Sequence, residues 1–197
     1  MNDTNLKTFL VTNLAIDDHE ISPLLENCKI KRVQKDAFLL KPGEYCKQTF
    51  FVENGLLRQY SIDEKGKEHT ISFAPENWFV TDRESVYFNQ PTAYFIQALE
   101  DSTVTVLDKN LIQVLTDKAP SFTEFNNRLL HNHIRQLQNR INLLLSASAE
   151  ERYLNFIEMY PDILLRVPQT MVASYLGITP ESLSRVRKEL AQKNFKK

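Results

Sequence analysis

The stretch from Val172 to Leu190, VASYLGITPESLSRVRKEL, limits what this chain can fold into more tightly than any other. Two apolar runs meet at one glycine, and the second opens on Thr-Pro-Glu-Ser before turning basic. Two helices that cross steeply over a short turn accept few sequences, and each steric position can be checked. The first helix needs a small residue where the second crosses it, and Ala173 stands there. Four residues on, the tight turn wants glycine, and Gly177 supplies it. The core-facing positions around these are Val172, Leu176, Ile178, Leu183 and Val186, all apolar. Pro168 suits the first turn of the first helix. Thr179 is a good N-cap for the second, and Pro180 then takes its first position, where a missing N–H costs nothing. The segment predicts a helix-turn-helix.

The exposed face of the second helix then decides what the motif does. Glu181 and Arg185 are four apart, with Ser182 beside them and Lys188 a turn later. In a DNA major groove, Arg185 can pair bidentately with guanine O6 and N7, and Glu181 can accept from cytosine N4. Ser182 can reach a base or a phosphate. Arg187, Lys188 and the terminal Lys193, Lys196 and Lys197 suit phosphates. Gln169, Thr170 and Thr179 are further candidates for DNA contact. The alternatives are an i,i+4 salt bridge on a solvated helix, or helices that serve protein contact only. The net charge of −1 favours neither, but acids are nearly absent from the last thirteen residues.

Upstream, the apolar period changes twice. Leu6 to Asn27 predicts one or two short helices around an Ile-Ser-Pro break. From Cys28 to about Asp108, short runs such as TFFVE, HTISFA and STVTVL alternate with Lys41-Pro42-Gly43, Asn54-Gly55, Asp63–Gly66 and Ala74–Asn77. Strands punctuated this way predict an antiparallel roll, sandwich or barrel. From Leu111 the period becomes helical. Leu130, Ile134, Leu137, Ile141 and Leu144 are spaced 4, 3, 4, 3 between strongly polar faces. That narrow seam fits a helix pairing with its own copy, or one burying its stripe within its own domain. Ser148 to Glu151 reads as a capping box that opens a new helix. The organisation expected is α+β: a strand-rich domain with short leading helices over 1–110, a long helix over 111–147 and a helix-turn-helix over 148–197.

Several classes are disfavoured. A chain of 197 residues, 42% hydrophobic and 25% charged, has the composition of a globular protein. No run approaches the ~20 apolar residues of a membrane span, and the N-terminus lacks the pattern of a secretion signal, so a cytoplasmic location is expected. Cys28 and Cys46 form no CxxC unit, which leaves a disulfide, zinc or iron–sulfur role unsupported. His131 and His133 are two apart on a helix and cannot share a metal. His69 is the only histidine among the strands, which argues against a metal-dependent enzyme. No cofactor and no catalytic residue is expected.

The order of roll, long helix and helix-turn-helix resembles the Crp/Fnr family of bacterial transcription regulators over nearly the whole chain. KPGEYCKQTFFVENGLLRQYSIDEKGKEHTISFAPENWF looks like the family's cyclic-nucleotide-binding-like jelly roll, and LGITPESLSRVRKEL like its recognition segment. The resemblance implies a homodimer paired along the long helix, reading a near-palindromic DNA site, with RNA polymerase as a further candidate partner. It also implies an effector in the roll. The family's cyclic-AMP cassette carries Gly-Glu and Arg-Ser, whereas Thr81-Asp82 and Thr92-Ala93 align with them here, and Leu137-Gln138 aligns with its adenine contacts. A phosphate buried without a counter-charge costs several kcal/mol, so cyclic AMP is not expected. Arg83, Asp82, Thr92, Ala93, Tyr94, Arg58 and Gln138 could line a different pocket; alternatively Trp78, Phe79, Phe88 and Phe95 fill it. Pro180 replaces a residue that is often basic in relatives, and only AQKNFKK follows the recognition helix where a wing would stand. These departures imply an altered half-site and more salt-sensitive binding.

Overall fold

A computed structural model describes residues 5–14, 17–26 and 28–195. They fall into two compact units, 1–62 with 71–130, and 63–70 with 131–197.

The first unit is built on two four-stranded antiparallel sheets. Its strands are β1 (Lys29–Val33), β2 (Phe38–Leu40), β3 (Gln48–Asn54), β4 (Leu57–Ile62), β5 (Glu68–Ala74, from residue 71 onward in this unit), β6 (Phe79–Val80), β7 (Phe95–Ala98) and β8 (Ser102–Asp108). One sheet runs β1-β8-β3-β6 and the other β2-β7-β4-β5. The turn residues act as their chemistry predicts. Gly55 holds φ +98, and a Cβ there would fall 2.3 Å from Ser102 Oγ, so only glycine fits between β3 and β4. A register shift between Val52 and Asn54 re-aims β3 just before it.

β3 departs from simple alternation because both of its faces are covered. Phe50 and Val52 join Leu57, Ile96, Ala98, Val104 and Val106 inside the roll. Phe51 faces the other way, into a layer made by α1 (Asn5–Leu14), α2 (Asp18–Leu25), α4 (Lys109–Lys118) and the start of α5 (Pro120–Ser146). Burying side chains of this size contributes ~1.5–3 kcal/mol each. Glu53 is buried on that second face, accepting from the Leu6 N–H and the Thr105 hydroxyl.

Two expectations need correcting. Ile21-Ser22-Pro23 does not break α2, which runs through it; Pro23 only forgoes the bond its N–H would have made to His19. The helical stretch over 111–147 is not one rod. Ala119, at φ −127, ends α4, and Pro120, which disfavours a helical residue before it, opens α5.

In the second unit, α6 (Ala149–Met159), α7 (Ile163–Arg166), α8 (Gln169–Leu176) and α9 (Pro180–Phe195) enclose Phe156, Ile163, Val172, Ala173 and Leu183, each no more than 1% exposed. Ser148 and Glu151 form the full capping box at the start of α6. Residues 63–70 belong to this unit. The Thr70 N–H donates to Ser174 Oγ at 2.9 Å, that hydroxyl donates to the Glu68 carbonyl at 2.9 Å, and Arg140 Nη2 donates to the Thr70 carbonyl at 3.0 Å. No helix among the described residues is long and apolar enough to cross a membrane.

Candidate nucleic-acid interface

The turn between α8 and α9 is held from three sides. Gly177 takes the left-handed conformation, φ 66 and ψ 34, which ends α8 and lets its N–H reach the Ser174 carbonyl while Ile178 N–H reaches Ala173. The remaining C-terminal carbonyls are taken by two arginines. Arg152 Nη1 donates to Leu176 at 2.9 Å, and Arg140 Nη2 to Tyr175 at 3.1 Å. The Arg140 guanidinium also stacks 4.1 Å over the Tyr175 ring. Cations belong at a helix C-terminus, where carbonyls lack intrahelical partners. These two positioning residues were not foreseen from sequence, because their partners are carbonyls 24 and 35 residues away. Pro168 sits one residue outside α8 as its N-cap, not within the first turn.

Thr179 caps α9: its Oγ1 accepts from the Ser182 N–H at 3.2 Å and donates to the Ser182 hydroxyl at 3.3 Å. Glu181 projects from the first turn. Its own backbone N–H and the Thr179 hydroxyl hold its carboxyl below the usual carboxylate range, so it is an acceptor at neutral pH. Leu183 and Val186 are buried, which turns residues 181, 184, 185 and 188 outward together. Glu181, Arg185 and Lys188 thus share one exposed face, as expected. Ser184 joins them, and sequence reading passed over it. Ser182 is half-buried and faces its cap. The helical period around Leu183 and Val186 carried that distinction.

Gln169, Thr170 and Arg187 are exposed. Lys193 forms an exposed ion pair with Glu150, at 2.8 and 2.9 Å. Lys196 and Lys197 lie outside the described residues. Along α5, Ile134, Leu137, Ile141 and Leu144 are 40–56% exposed in the single chain, and Leu130 is half-buried.

The expected effector residues are largely occupied by the roll itself. Asp82 is buried and caps α3 (Arg83–Phe88) by accepting from the Glu84 and Ser85 N–H groups. Thr92 is buried and accepts from the Tyr94 N–H. Arg58 is buried, donating through Nε and Nη2 to Gln97 Oε1 at 3.1 and 2.8 Å, with its guanidinium 3.9 Å above Tyr60. Arg83 and Tyr94 are half-buried, Ala93 is exposed, and Gln138 is exposed on α5 in the second unit. The aromatic alternative does not assemble either. Phe88 is 72% exposed, Phe79 packs in the helical layer, Trp78 lies against the roll interior, and Phe95 stacks on Tyr60. No cluster of three metal-ligating side chains occurs among the described residues.

Residues 30–118 match the model of the cyclic nucleotide-binding domain. An anaerobic regulatory protein of Aggregatibacter actinomycetemcomitans is 28% identical over 184 residues, 87% of this chain and 71% of that protein. The fumarate and nitrate reduction regulatory protein of Yersinia pestis is 27% identical over 92% of this chain and 76% of its own length. Among solved structures, a CooA mutant from Carboxydothermus hydrogenoformans superposes with a TM-score of 0.72 at 24% identity, covering 98% of this chain and 87% of that one. With the roll, the long helix and the helix-turn-helix in this order, the chain is similar to transcription regulators of the Crp/Fnr type.

Proposed function

We propose that this protein is a sequence-specific DNA-binding transcription regulator that works as a homodimer. The observation that carries the reading is the outward face of α9, where Glu181, Ser184, Arg185 and Lys188 project together from a helix seated over a small-residue crossing. An acceptor beside a guanidinium matches a C·G step, with Glu181 on cytosine N4 and Arg185 on guanine O6 and N7. Lys188, Arg187, Gln169 and Thr170 then serve the phosphates, which set register without reading sequence.

The exposed apolar seam of α5 supports pairing with a second copy. A two-fold dimer carries two such helices and reads a near-palindromic site. The roll is not a cyclic-AMP receptor in this proposal, because Asp82 and Thr92 hold the backbone and Arg58 is committed to Gln97. Its signal is a different small molecule or a conformational input.

The test is selection of bound sites from random duplexes, followed by titration of the selected site and a scrambled one. The native chain should recover a two-fold symmetric consensus. Arg185→Ala should lose ~1–3 kcal/mol of discrimination per half-site while the dimer persists. An enriched consensus equally well bound by Arg185→Ala would remove α9 as the reader.

A further inference from the structure

We infer that a cleft between α3 and the start of α4 binds a small phosphate ester. The cleft measures about 290 Å³, near the lower end of the ~300–1,000 Å³ common for small-molecule sites. Three segments wall it. Lys47 comes from the approach to β3, Ser85 and Asn89 from α3 and its C-cap, and Asp108, Lys109 and Asn110 from the junction of β8 with α4. Neither Arg58, Asp82 nor Thr92 lines it, so it is separate from the effector pocket expected at those residues.

The walls carry hydrogen-bond donors that the fold does not consume. Ser85 is only 2% exposed, yet it lines the cleft. Its Oγ accepts from the Cys46 N–H at 2.7 Å, and its own hydrogen has no acceptor among the described residues. A buried hydroxyl left without an acceptor costs free energy, which favours an acceptor arriving from the cleft. Lys47 and Lys109 are exposed and form no ion pair among the described residues. Helix α4 adds its opening N–H groups, which have no intrahelical acceptor. Asp108 takes that of Leu111 at 2.8 Å, leaving those of Lys109 and Asn110. The Cys46 thiol does not compete for a ligand, since it donates to the Gln48 carbonyl.

Charge and shape then select the ligand. Lys47 and Lys109 outnumber the single carboxylate of Asp108, and the positive end of the α4 dipole lies beside them, so the cleft attracts an anion. A carboxylate is planar and presents two oxygens, whereas the donors here come from three walls. A phosphate ester carries three terminal oxygens in a tetrahedral array and can accept from all three walls at once. Lysine suits it as a point charge. The cleft is larger than a phosphate group alone, so it has room for the organic part, with the Asn89 and Asn110 amides available to its hydroxyls. This inference does not rest on the DNA-reading role of α9, and its test contains no DNA.

The probe is glycerol 3-phosphate, titrated calorimetrically into the full chain at low ionic strength. Saturable binding of one molecule per chain is expected. Lys47→Gln combined with Lys109→Gln should weaken it at least about tenfold, through the loss of two charge-assisted hydrogen bonds. Ser85→Ala should also weaken it, by removing the buried donor. Asp108→Asn keeps a side chain able to cap α4 but removes the like charge, so it should tighten binding. No saturable heat, undiminished binding by the lysine variant, or weaker binding by Asp108→Asn would overturn the site. Succinate bound as tightly as glycerol 3-phosphate would overturn the choice of a phosphate.

Discussion

Replacing Gly177 by alanine tests the turn on which the whole DNA-facing motif depends. The backbone there holds φ 66 and ψ 34, a left-handed conformation that costs an L-residue ~1–2 kcal/mol. The new Cβ would stand 3.1 Å from Leu144 Cδ2 and 3.5 Å from Arg152 Nη1. Leu144 is 42% exposed, so its methyl can yield by a few tenths of an ångström, and the steric part stays small. Alanine also narrows the unfolded ensemble, which returns ~0.4–1 kcal/mol. The net destabilisation expected is therefore about 1 kcal/mol, set by the backbone and not by crowding. Asparagine tolerates this conformation and should lose less than alanine, although its side chain is larger. Urea unfolding followed by far-UV circular dichroism of the helical unit gives both values. An alanine variant as stable as the native chain, or an asparagine variant weaker than alanine, would refute the backbone account.

Three further outcomes are expected. Leu137→Asp places a carboxylate in the exposed seam of α5 and should convert the proposed homodimer to monomer in sedimentation velocity; a persistent dimer would move the interface off that seam. The Ser148 N–H and hydroxyl hold the Glu151 carboxyl below its ordinary value, so its contribution is fully present above the unfolded value of ~4.3 and is lost as pH falls through the lower folded value. Glu151→Gln should accordingly flatten the acid limb of stability, and an unchanged limb would assign it to other carboxylates. Ser184→Ala should alter base preference more than Ser182→Ala, measured on the selected site and its single-base variants; the reverse order would mean that α9 turns a different face to DNA.

The helix-turn-helix was legible in the sequence because its constraints are local. Ala173, Gly177, Thr179 and Pro180 each answer a steric or capping demand set by residues within one or two turns. The strands were legible for the same reason, since Gly55 and Asn77 take positive φ where the turns require it. Roles decided by long-range partners were not. Asp82 looked free to bind a ligand because its partners, the Glu84 and Ser85 amides, matter only once α3 forms. Arg58 looked like a pocket cation until β4 and β7 paired and brought Gln97 beside it. Ser182 and Ser184 are equivalent in composition and differ only in which side of α9 carries Leu183 and Val186. Arg140 and Arg152 carried no recognisable motif, since what they bind is the end of another helix.

The bond from Thr70 to Ser174 has a consequence for how this chain is made and taken apart. Thr70 is 2% exposed, and its N–H finds a partner only when a residue 104 positions later has arrived. A nascent chain halted before α8 lacks that acceptor, and the Thr70 N–H exchanges water for the Ser174 hydroxyl only when synthesis resumes. The same holds for dissection. A fragment starting at His131 retains α8 and α9 but deprives Ser174 of the Glu68 carbonyl and Arg140 of the Thr70 carbonyl. The portable form of the DNA-facing half is a discontinuous one, carrying residues 63–70 as a grafted peptide alongside the C-terminal helices.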